Sequence, residues 1–157
     1  MGRLIARIAV LAGKSPVVWE TDTDRRKGAI GYEVIDPKAD QKRYYKTIVD
    51  VSGDAALLDT LISCLAPGGE IVLAGFYDAP MTFSFPQAFM REARIRVAAQ
   101  WQPKDLLAVK HLAESGRLSL DGLITHHASP AHADKAYRQA FSDKDCLKMV
   151  LDWRTLQ

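Results

Sequence analysis

The segment 46–77 alternates two apolar runs with one helical pattern, and this alternation limits the folds open to the chain. KTIVDVSG is a continuous apolar run that ends in small residues, and EIVLAGFY is a second apolar run. Between them, DAALLDTLISCLAPGG carries apolar residues at helical spacing, begins at Asp54 and ends in a Pro-Gly-Gly break. A strand, a helix and a second strand of this kind indicate a βαβ unit with parallel strands.

The same alternation continues on both sides of this segment. Helical spacing predicts helices over residues 3–13, 86–93, 103–115 and 130–141, and a shorter helix within DTDRRKGAIG. Runs of β-branched and aromatic residues predict strands at SPVVWE, YEVID, RIRVAAQW, around LITHH and at CLKMVLDW. Strands that alternate with helices in this way indicate an α/β fold, one domain over residues 1–157 built on a doubly wound parallel sheet.

Charge and hydropathy argue against a nucleic-acid or membrane surface. The chain has 21 Lys and Arg against 19 Asp and Glu, which gives a net charge of +2, and the cations are scattered among anions. No apolar run approaches the roughly 20 residues of a membrane-spanning helix. We therefore expect no nucleic-acid partner and no transmembrane segment.

Cysteine and histidine residues are placed without the spacing of a metal or catalytic site. Cys64 and Cys146 lie far apart in apolar contexts, so we expect both to be reduced core residues of a cytoplasmic protein. His126 and His127 are adjacent and would face opposite sides of a strand. The sequence therefore predicts no catalytic residue and no metal ligand, and it indicates a binding platform.

Glu20 follows the first predicted strand, at the edge where a doubly wound sheet binds its ligands. A carboxylate there can accept hydrogen bonds from both hydroxyls of an adenosine ribose and would repel a 2′-phosphate, which favours NAD over NADP. In the G-x-G-x-x-G fingerprint this acid follows the glycines by about 20 residues, and Gly2 precedes Glu20 by a similar distance. VSG at 51–53 and AGFY at 74–77 are further small-residue turns that would let a ligand approach the backbone.

Several stretches together resemble the nucleotide-binding half of medium-chain dehydrogenases. They are GRLIARIAVLAGKSPVVWETDTDRRKGAIGYEVID, YYKTIVDVSGDAALLDTLISCLAPGGEIVLAGFY and CLKMVLDW. WETD, GFYDAPMTFSFPQAFMREARIRVAAQW, ESGRLSLDGLITH and DCLKMVLDW are similar, more narrowly, to the bacteriochlorophyllide a dehydrogenase family of phototrophic bacteria. The resemblance implies a Rossmann-like fold, NAD as cofactor, and a tetrapyrrole substrate whose 3-(1-hydroxyethyl) group is oxidised to 3-acetyl.

The resemblance also implies roles for the residues at matching positions. The residues that match the pyrophosphate contacts are Gly2, Arg3 and Lys148. The residues that match the adenosine side are Glu20, Asp22, Arg25, Ser52 and Gly53. The residues that match the two segments holding the nicotinamide amide are Ala74, Gly75, Phe76, Ala98 and Gln100.

The resemblance further implies that the catalytic domain and the first, central strand of the sheet lie outside this sequence. We expect a fragment that is inactive by itself, binds NAD weakly at best, and has open strand edges that favour a homo-oligomer. Three other interpretations stay open at this point. The chain fits a fragment of another zinc-type medium-chain alcohol dehydrogenase or a non-catalytic nucleotide-binding or dimerisation module. Its L-x-P-G-G turn also occurs in methyltransferases that bind S-adenosylmethionine.

Overall fold

The computed structural model describes residues 1–156 and divides them into two compact units. The first unit comprises Met1–Gly2 and Ile35–Asp105, and the second comprises Arg3–Val34 and the chain from Leu106 onward. The assignment of residues 1–157 to one domain stays a prediction.

Helices and strands alternate through most of the described chain. The helices are α1 (Gly2–Leu11), α2 (Leu58–Ser63), α3 (Phe85–Met90), α4 (Pro103–Glu114) and α5 (Ala133–Ser142). The strands are β1 (Val17–Trp19), β2 (Glu33–Ile35), β3 (Tyr45–Asp50), β4 (Leu65–Leu73), β5 (Arg94–Val97), β6 (His126–Ala128) and β7 (Met149–Leu151).

The first unit is built on a parallel sheet of three strands in the order β3-β4-β5. At its carboxyl edge, Asp50 of β3 pairs with Leu73 of β4, which in turn pairs with Val97 of β5. The predicted βαβ unit is therefore confirmed, and the loops that follow β3 and β4 leave the sheet side by side.

Helix α2 connects β3 to β4 and supplies much of the core of the first unit. Its apolar residues Leu58, Leu61 and Ile62 are buried, together with Leu65 and Ile71 of β4. Burying a side chain of this size contributes about 1.5–3 kcal/mol. As predicted, Asp54 begins the crossover, because its carboxylate accepts a 2.9 Å hydrogen bond from the Ala56 amide and caps a 3-10 turn that leads into α2.

The prediction that the Pro-Gly-Gly segment ends the crossover helix is wrong. Helix α2 already ends at Ser63, and β4 begins at Leu65 and runs through the segment. Tyr45 pairs with Leu65 whereas Thr47 pairs with Glu70, so residues 66–69 form a bulge in β4. Gly68 has a φ of +69° there, and its amide donates to the Arg91 carbonyl oxygen at 2.8 Å.

The second unit contains α1 from Arg3 onward, α5, the small sheet formed by β1 and β2 except for Ile35, and the parallel pair β6 and β7. Arg7 of α1 is buried, and its guanidinium donates to the carbonyl oxygens of Ser119 at 2.7 Å and Asp121 at 2.8 Å. The strand predicted around LITHH lies slightly later, at β6. The helix predicted over 130–141 begins at Ala133, because Ser129 first caps a 3-10 turn.

The short helix predicted within DTDRRKGAIG does not form. The Asp22 carboxylate accepts hydrogen bonds from the amides of Asp24 at 2.9 Å and Arg25 at 3.1 Å, which folds the chain into turns. Gly28 and Gly31 then adopt φ values of +78° and +76°, which a right-handed helix does not allow. Asp22 therefore makes the hydrogen bonds of a helix cap, but the chain that follows it forms turns instead of a helix.

The described strands confirm the α/β class and the parallel arrangement, but they divide into three sheets instead of one. Within residues 1–156, β4 is the sole strand partner of β3, so the other edge of β3 is unpaired. Both cysteines are free, as expected, with Cys64 buried and Cys146 half-buried. None of the helices in the described chain is long and apolar enough to cross a membrane.

Candidate nucleotide-binding site

The residues predicted for the cofactor site are divided between the two units. The first unit contains Gly2, Ser52, Gly53, Ala74, Gly75, Phe76, Ala98 and Gln100. The second unit contains Arg3, Glu20, Asp22, Arg25 and Lys148. In each unit some of these residues directly follow a strand, at the edge where open α/β sheets bind ligands, whereas Lys148 directly precedes β7.

In the first unit, the structure brings together the two small-residue turns that the sequence singled out. The loop after β3 contains Ser52 and Gly53, and the loop after β4 contains Ala74 and Gly75. The Ala74 amide donates to the Asp50 carbonyl oxygen at 2.8 Å, and the Ala98 amide donates to that of Leu73, also at 2.8 Å. These backbone hydrogen bonds extend the sheet ladder one residue beyond its strands, which keeps the loops adjacent.

Gly53 and Gly75 let these two loops touch backbone to backbone. A Cβ on Gly53 would lie 2.9 Å from the Phe76 carbonyl oxygen, closer than real Cβ contacts come, and Gly53 has a φ of +77°. A Cβ on Gly75 would lie 3.0 Å from the Gly53 nitrogen and 3.2 Å from the Tyr77 hydroxyl. Glycine is therefore required at Gly53 both for its conformation and for the close approach.

A hydrogen bond between Asp50 and Tyr77 ties the same two loops together. Asp50 is 5% exposed. Its Oδ2 accepts a 2.8 Å hydrogen bond from the Tyr77 hydroxyl, and its Oδ1 accepts a 2.9 Å hydrogen bond from the Ser52 amide. Partial burial and the hydrogen bond to Asp50 raise the pKa of Tyr77 to about 12, so the phenol stays protonated and donates. No sequence pattern indicates this pair.

The loop after β3 is further stabilised by a chain of short-range hydrogen bonds. The Ser52 hydroxyl accepts from the Asp54 amide at 3.0 Å, and Asp54 in turn caps the 3-10 turn that follows.

Phe76, in the loop after β4, is 93% exposed. Ala98 and Gln100 are exposed as well, so these residues leave backbone and side-chain atoms accessible to a ligand.

In the second unit, Glu20 directly follows β1 and its carboxylate is held in place. Glu20 Oε1 accepts a 3.0 Å hydrogen bond from the Asp22 amide. Asp22 accepts from two further amides, those of Arg25 and Asp24, and these hydrogen bonds lower its pKa below the usual value. The Asp22 carboxylate is therefore stabilised in its charged form, and both side chains present oxygens that can accept hydrogen bonds from hydroxyl groups.

The basic residues of this group are differently engaged. The Arg25 guanidinium donates to the Lys144 carbonyl oxygen at 2.7 and 3.0 Å. Arg3 donates to the carbonyl oxygens of Arg25 and Lys27, so its charged group supports the loop after β1. Lys148 has an exposed side chain, and its carbonyl oxygen accepts from the Thr125 and His126 amides. Of these three basic residues, Lys148 is therefore the one whose charged group is most available to an anion.

The histidine nearest to a carboxylate is not part of a metal site. His126 Nε2 lies 3.7 Å from Asp143 Oδ2, and its Nδ1 lies 2.9 Å from the Thr125 hydroxyl. The Asp145 amide lowers the pKa of Asp143, with smaller contributions from Gln139 and His126. Across residues 1–156, no three His, Cys, Asp or Glu side chains are grouped so that they could hold a metal ion.

Comparison with known proteins shows that the sequence is similar to dehydrogenases. No protein-family model matches the chain. It is 59% identical over 155 residues to the 2-desacetyl-2-hydroxyethyl bacteriochlorophyllide A dehydrogenase of Cereibacter sphaeroides, and 57% identical over 155 residues to that of Rhodobacter capsulatus. Each alignment covers 98% of this chain and 49% of the relative, so the chain spans about half the length of these curated relatives.

The fold comparison agrees with the sequence comparison. A short chain alcohol dehydrogenase of Escherichia coli CFT073, solved with NADH, matches with a TM-score of 0.82 at 18% identity, covering 95% of this chain and 48% of that one. At this identity the likeness shows the fold alone, which is the Rossmann-like fold predicted from the sequence. The resemblance to bacteriochlorophyllide a dehydrogenases is confirmed, and a methyltransferase is not favoured.

Proposed function

We propose that this chain is the nucleotide-binding part of an NAD-dependent dehydrogenase that oxidises the 3-(1-hydroxyethyl) group of bacteriochlorophyllide a, or of its chlorophyllide precursor, to a 3-acetyl group. The observation that carries this proposal is the fixed carboxylate of Glu20 directly after β1. It supplies the acidic group that NAD recognition requires at the end of a strand. The named activity of the two relatives supports the choice of substrate.

The residues of the second unit bind the adenosine side in this proposal. Glu20 accepts hydrogen bonds from the ribose hydroxyls and repels a 2′-phosphate, while Asp22 and Arg25 line the adenosine. Lys148 offers its ammonium to the pyrophosphate as a point charge. Arg3 stabilises the loop after β1 through its carbonyl contacts. The family resemblance also assigns Gly2, at the start of α1, to the pyrophosphate.

The residues of the first unit bind through their backbone. Ser52 and Gly53 lie in the loop after β3, and Ala74, Gly75 and Phe76 lie in the loop after β4. The proposal assigns the nicotinamide amide to this second loop and to the segment that contains Ala98 and Gln100. Glycine at Gly75 keeps the backbone bare where a planar ring has to approach.

When bound, NAD would supply the acceptor for the hydride of the carbinol carbon, and the hydroxyl proton would be released as the secondary alcohol becomes a ketone. The residues of this chain bind and orient, and we assign no acid or base to them. Activity by the isolated chain is therefore not expected.

The proposal extends to location and assembly. We place the enzyme in the cytoplasm, because both cysteines are free. The tetrapyrrole is the small-molecule partner. The unpaired edge of β3 supports self-association of the isolated chain, since an open strand edge pairs readily with another strand.

Fluorescence titration with NADH tests the proposal on the chain itself. We expect saturable binding that weakens when Glu20 is replaced, and no turnover of the pigment alcohol by the isolated chain. Absence of saturable NADH binding by the wild-type chain would overturn the proposed function.

A further inference from the structure

We propose that Asp50 and Tyr77 are positioning residues that hold the loops after β3 and β4 in the arrangement that nucleotide binding needs. The inference deepens the proposed function and rests on it. Neither residue belongs to the set that the family resemblance assigns to the cofactor.

The two residues are placed to connect the loops because of the register of the sheet. Asp50 is the last residue of β3 and pairs with Leu73, the last residue of β4. Tyr77 follows β4 by a short loop, and its side chain turns back so that its hydroxyl reaches Asp50 Oδ2 at 2.8 Å. The hydroxyl also lies 3.3 Å from the Asp50 carbonyl oxygen. The Tyr77 side chain, from the loop after β4, thus contacts Asp50, the residue from which the loop after β3 begins.

Asp50 serves both loops at once. One carboxylate oxygen accepts from the Ser52 amide in the loop after β3, and the other accepts from Tyr77 in the loop after β4. Asp50 is buried, so these two donors replace most of the water that a charged carboxylate would otherwise need. Removal of either donor leaves a buried charge with one fewer partner, which is costlier than the loss of an exposed hydrogen bond.

The contact between the glycines makes the loop geometry sensitive to this bond. A Cβ on Gly53 would lie 2.9 Å from the Phe76 carbonyl oxygen, and one on Gly75 would lie 3.2 Å from the Tyr77 hydroxyl. The loops therefore have little free space between them, and a change in the position of Tyr77 alters the backbone at Gly75 and Phe76. These are the atoms that the proposed function assigns to the nicotinamide.

The chain contains a matched control at the other end of the same strand. Tyr45 is the first residue of β3, and its hydroxyl donates a 2.6 Å hydrogen bond to Asp40 Oδ2, which also belongs to a buried aspartate. Tyr45→Phe thus removes the same kind of hydrogen bond from the amino end of β3, where no ligand is proposed. A purely structural role for Tyr77 would give the two variants similar phenotypes.

The experiment compares wild type, Tyr77→Phe and Tyr45→Phe by two measurements on the full chain. NADH titration should give a dissociation constant about tenfold higher for Tyr77→Phe, the increase expected when loss of the bond leaves about a tenth of the molecules with their loops in the binding arrangement, and an unchanged one for Tyr45→Phe. Amide hydrogen exchange should become faster at residues 51–54 and 74–77 in Tyr77→Phe, and near residues 40–45 in Tyr45→Phe.

Equal NADH affinity in wild type and Tyr77→Phe, or equal loop exchange in the two Tyr variants, would overturn the inference. Asp50→Asn provides a second variant if Tyr77→Phe folds poorly. The amide has no charge and keeps an acceptor oxygen at only one of the two positions that Ser52 and Tyr77 contact, so the same loops should exchange faster. If the wild-type chain does not bind NADH, the proposed function fails, and the exchange rates alone decide whether the pair positions the loops.

Discussion

The Asp22 amide donates a 3.0 Å hydrogen bond to Oε1 of Glu20, which fixes a carboxylate directly beyond the last residue of β1. The Glu20 side chain is therefore oriented before any ligand arrives. A preoriented acceptor loses less conformational entropy on binding than a free one. Its position can be predicted from the sequence, because it depends only on where the strand ends, whereas its hydrogen bond depends on the turn that follows.

The contact at Gly53 predicts a loss of stability with a defined control. Gly53→Ala places a Cβ 2.9 Å from the Phe76 carbonyl oxygen at a φ of +77°. Gly68→Ala has a similar φ of +69° but no atom within 4 Å of the added Cβ. We expect Gly68→Ala to lose about 1–2 kcal/mol from the strained backbone alone, and Gly53→Ala to lose more. Urea unfolding measures both, and equal losses would contradict the close contact.

The raised pKa of Tyr77 predicts a dependence of stability on alkaline pH. The folded value is about 12 against an ordinary value of 10.0, so the folded state retains a proton that the unfolded state has lost. The contribution is fully present below about pH 10 and is lost as the pH rises toward 12. Chemical unfolding of wild type and Tyr77→Phe across this range should show a steeper decline in wild type. Parallel curves would contradict the assigned environment of the phenol.

We predict that Arg7 stabilises the second unit, because its guanidinium is buried and hydrogen-bonded. Its two hydrogen bonds satisfy the carbonyl oxygens of Ser119 and Asp121. Arg7→Met keeps much of the volume but leaves these oxygens without their donor, so we expect a loss of about 1–3 kcal/mol. Arg117→Met makes the same change at an exposed position and should alter stability by less than about 0.5 kcal/mol. Similar unfolding midpoints for the two variants would argue against this role of Arg7.

The parts of the fold that follow local patterns could be predicted from the sequence. The βαβ unit of residues 46–77 was predicted because the hydrophobic period changes between strand and helix, and the Asp54 cap because its side chain acts on its own neighbours. The helix predicted within DTDRRKGAIG failed because the chain beyond the Asp22 cap forms only turns before Gly28 and Gly31, whose positive φ values end a helix. The predicted start of β4 was wrong because Pro-Gly-Gly, which was interpreted as the end of a helix, also fits a bulge within a strand.

The Asp50–Tyr77 pair could not be predicted from the sequence for a different reason. The two residues are distant in sequence and become neighbours only because Asp50 pairs with Leu73. That register depends on the bulge at residues 66–69, where the Pro-Gly-Gly pattern fits both a bulge and the end of a helix. The candidate residues of the loops after β3 and β4 were found because glycine-containing turns after parallel strands can be recognised in sequence. The bond that fixes these loops required the structure.

Parallel titrations of the isolated chain with NADH and NADPH, followed by fluorescence, test the central claim most directly. Glu20→Gln removes the charge at the end of β1, and Glu114→Gln serves as control because Glu114 lies in an exposed ion pair with Lys110 on α4. We predict tighter binding of NADH than of NADPH by wild type and by Glu114→Gln. For Glu20→Gln we predict roughly tenfold weaker NADH binding and a smaller difference between the affinities for NADH and NADPH. No saturable NADH binding by wild type, or a preference that Glu20→Gln leaves unchanged, would contradict the account.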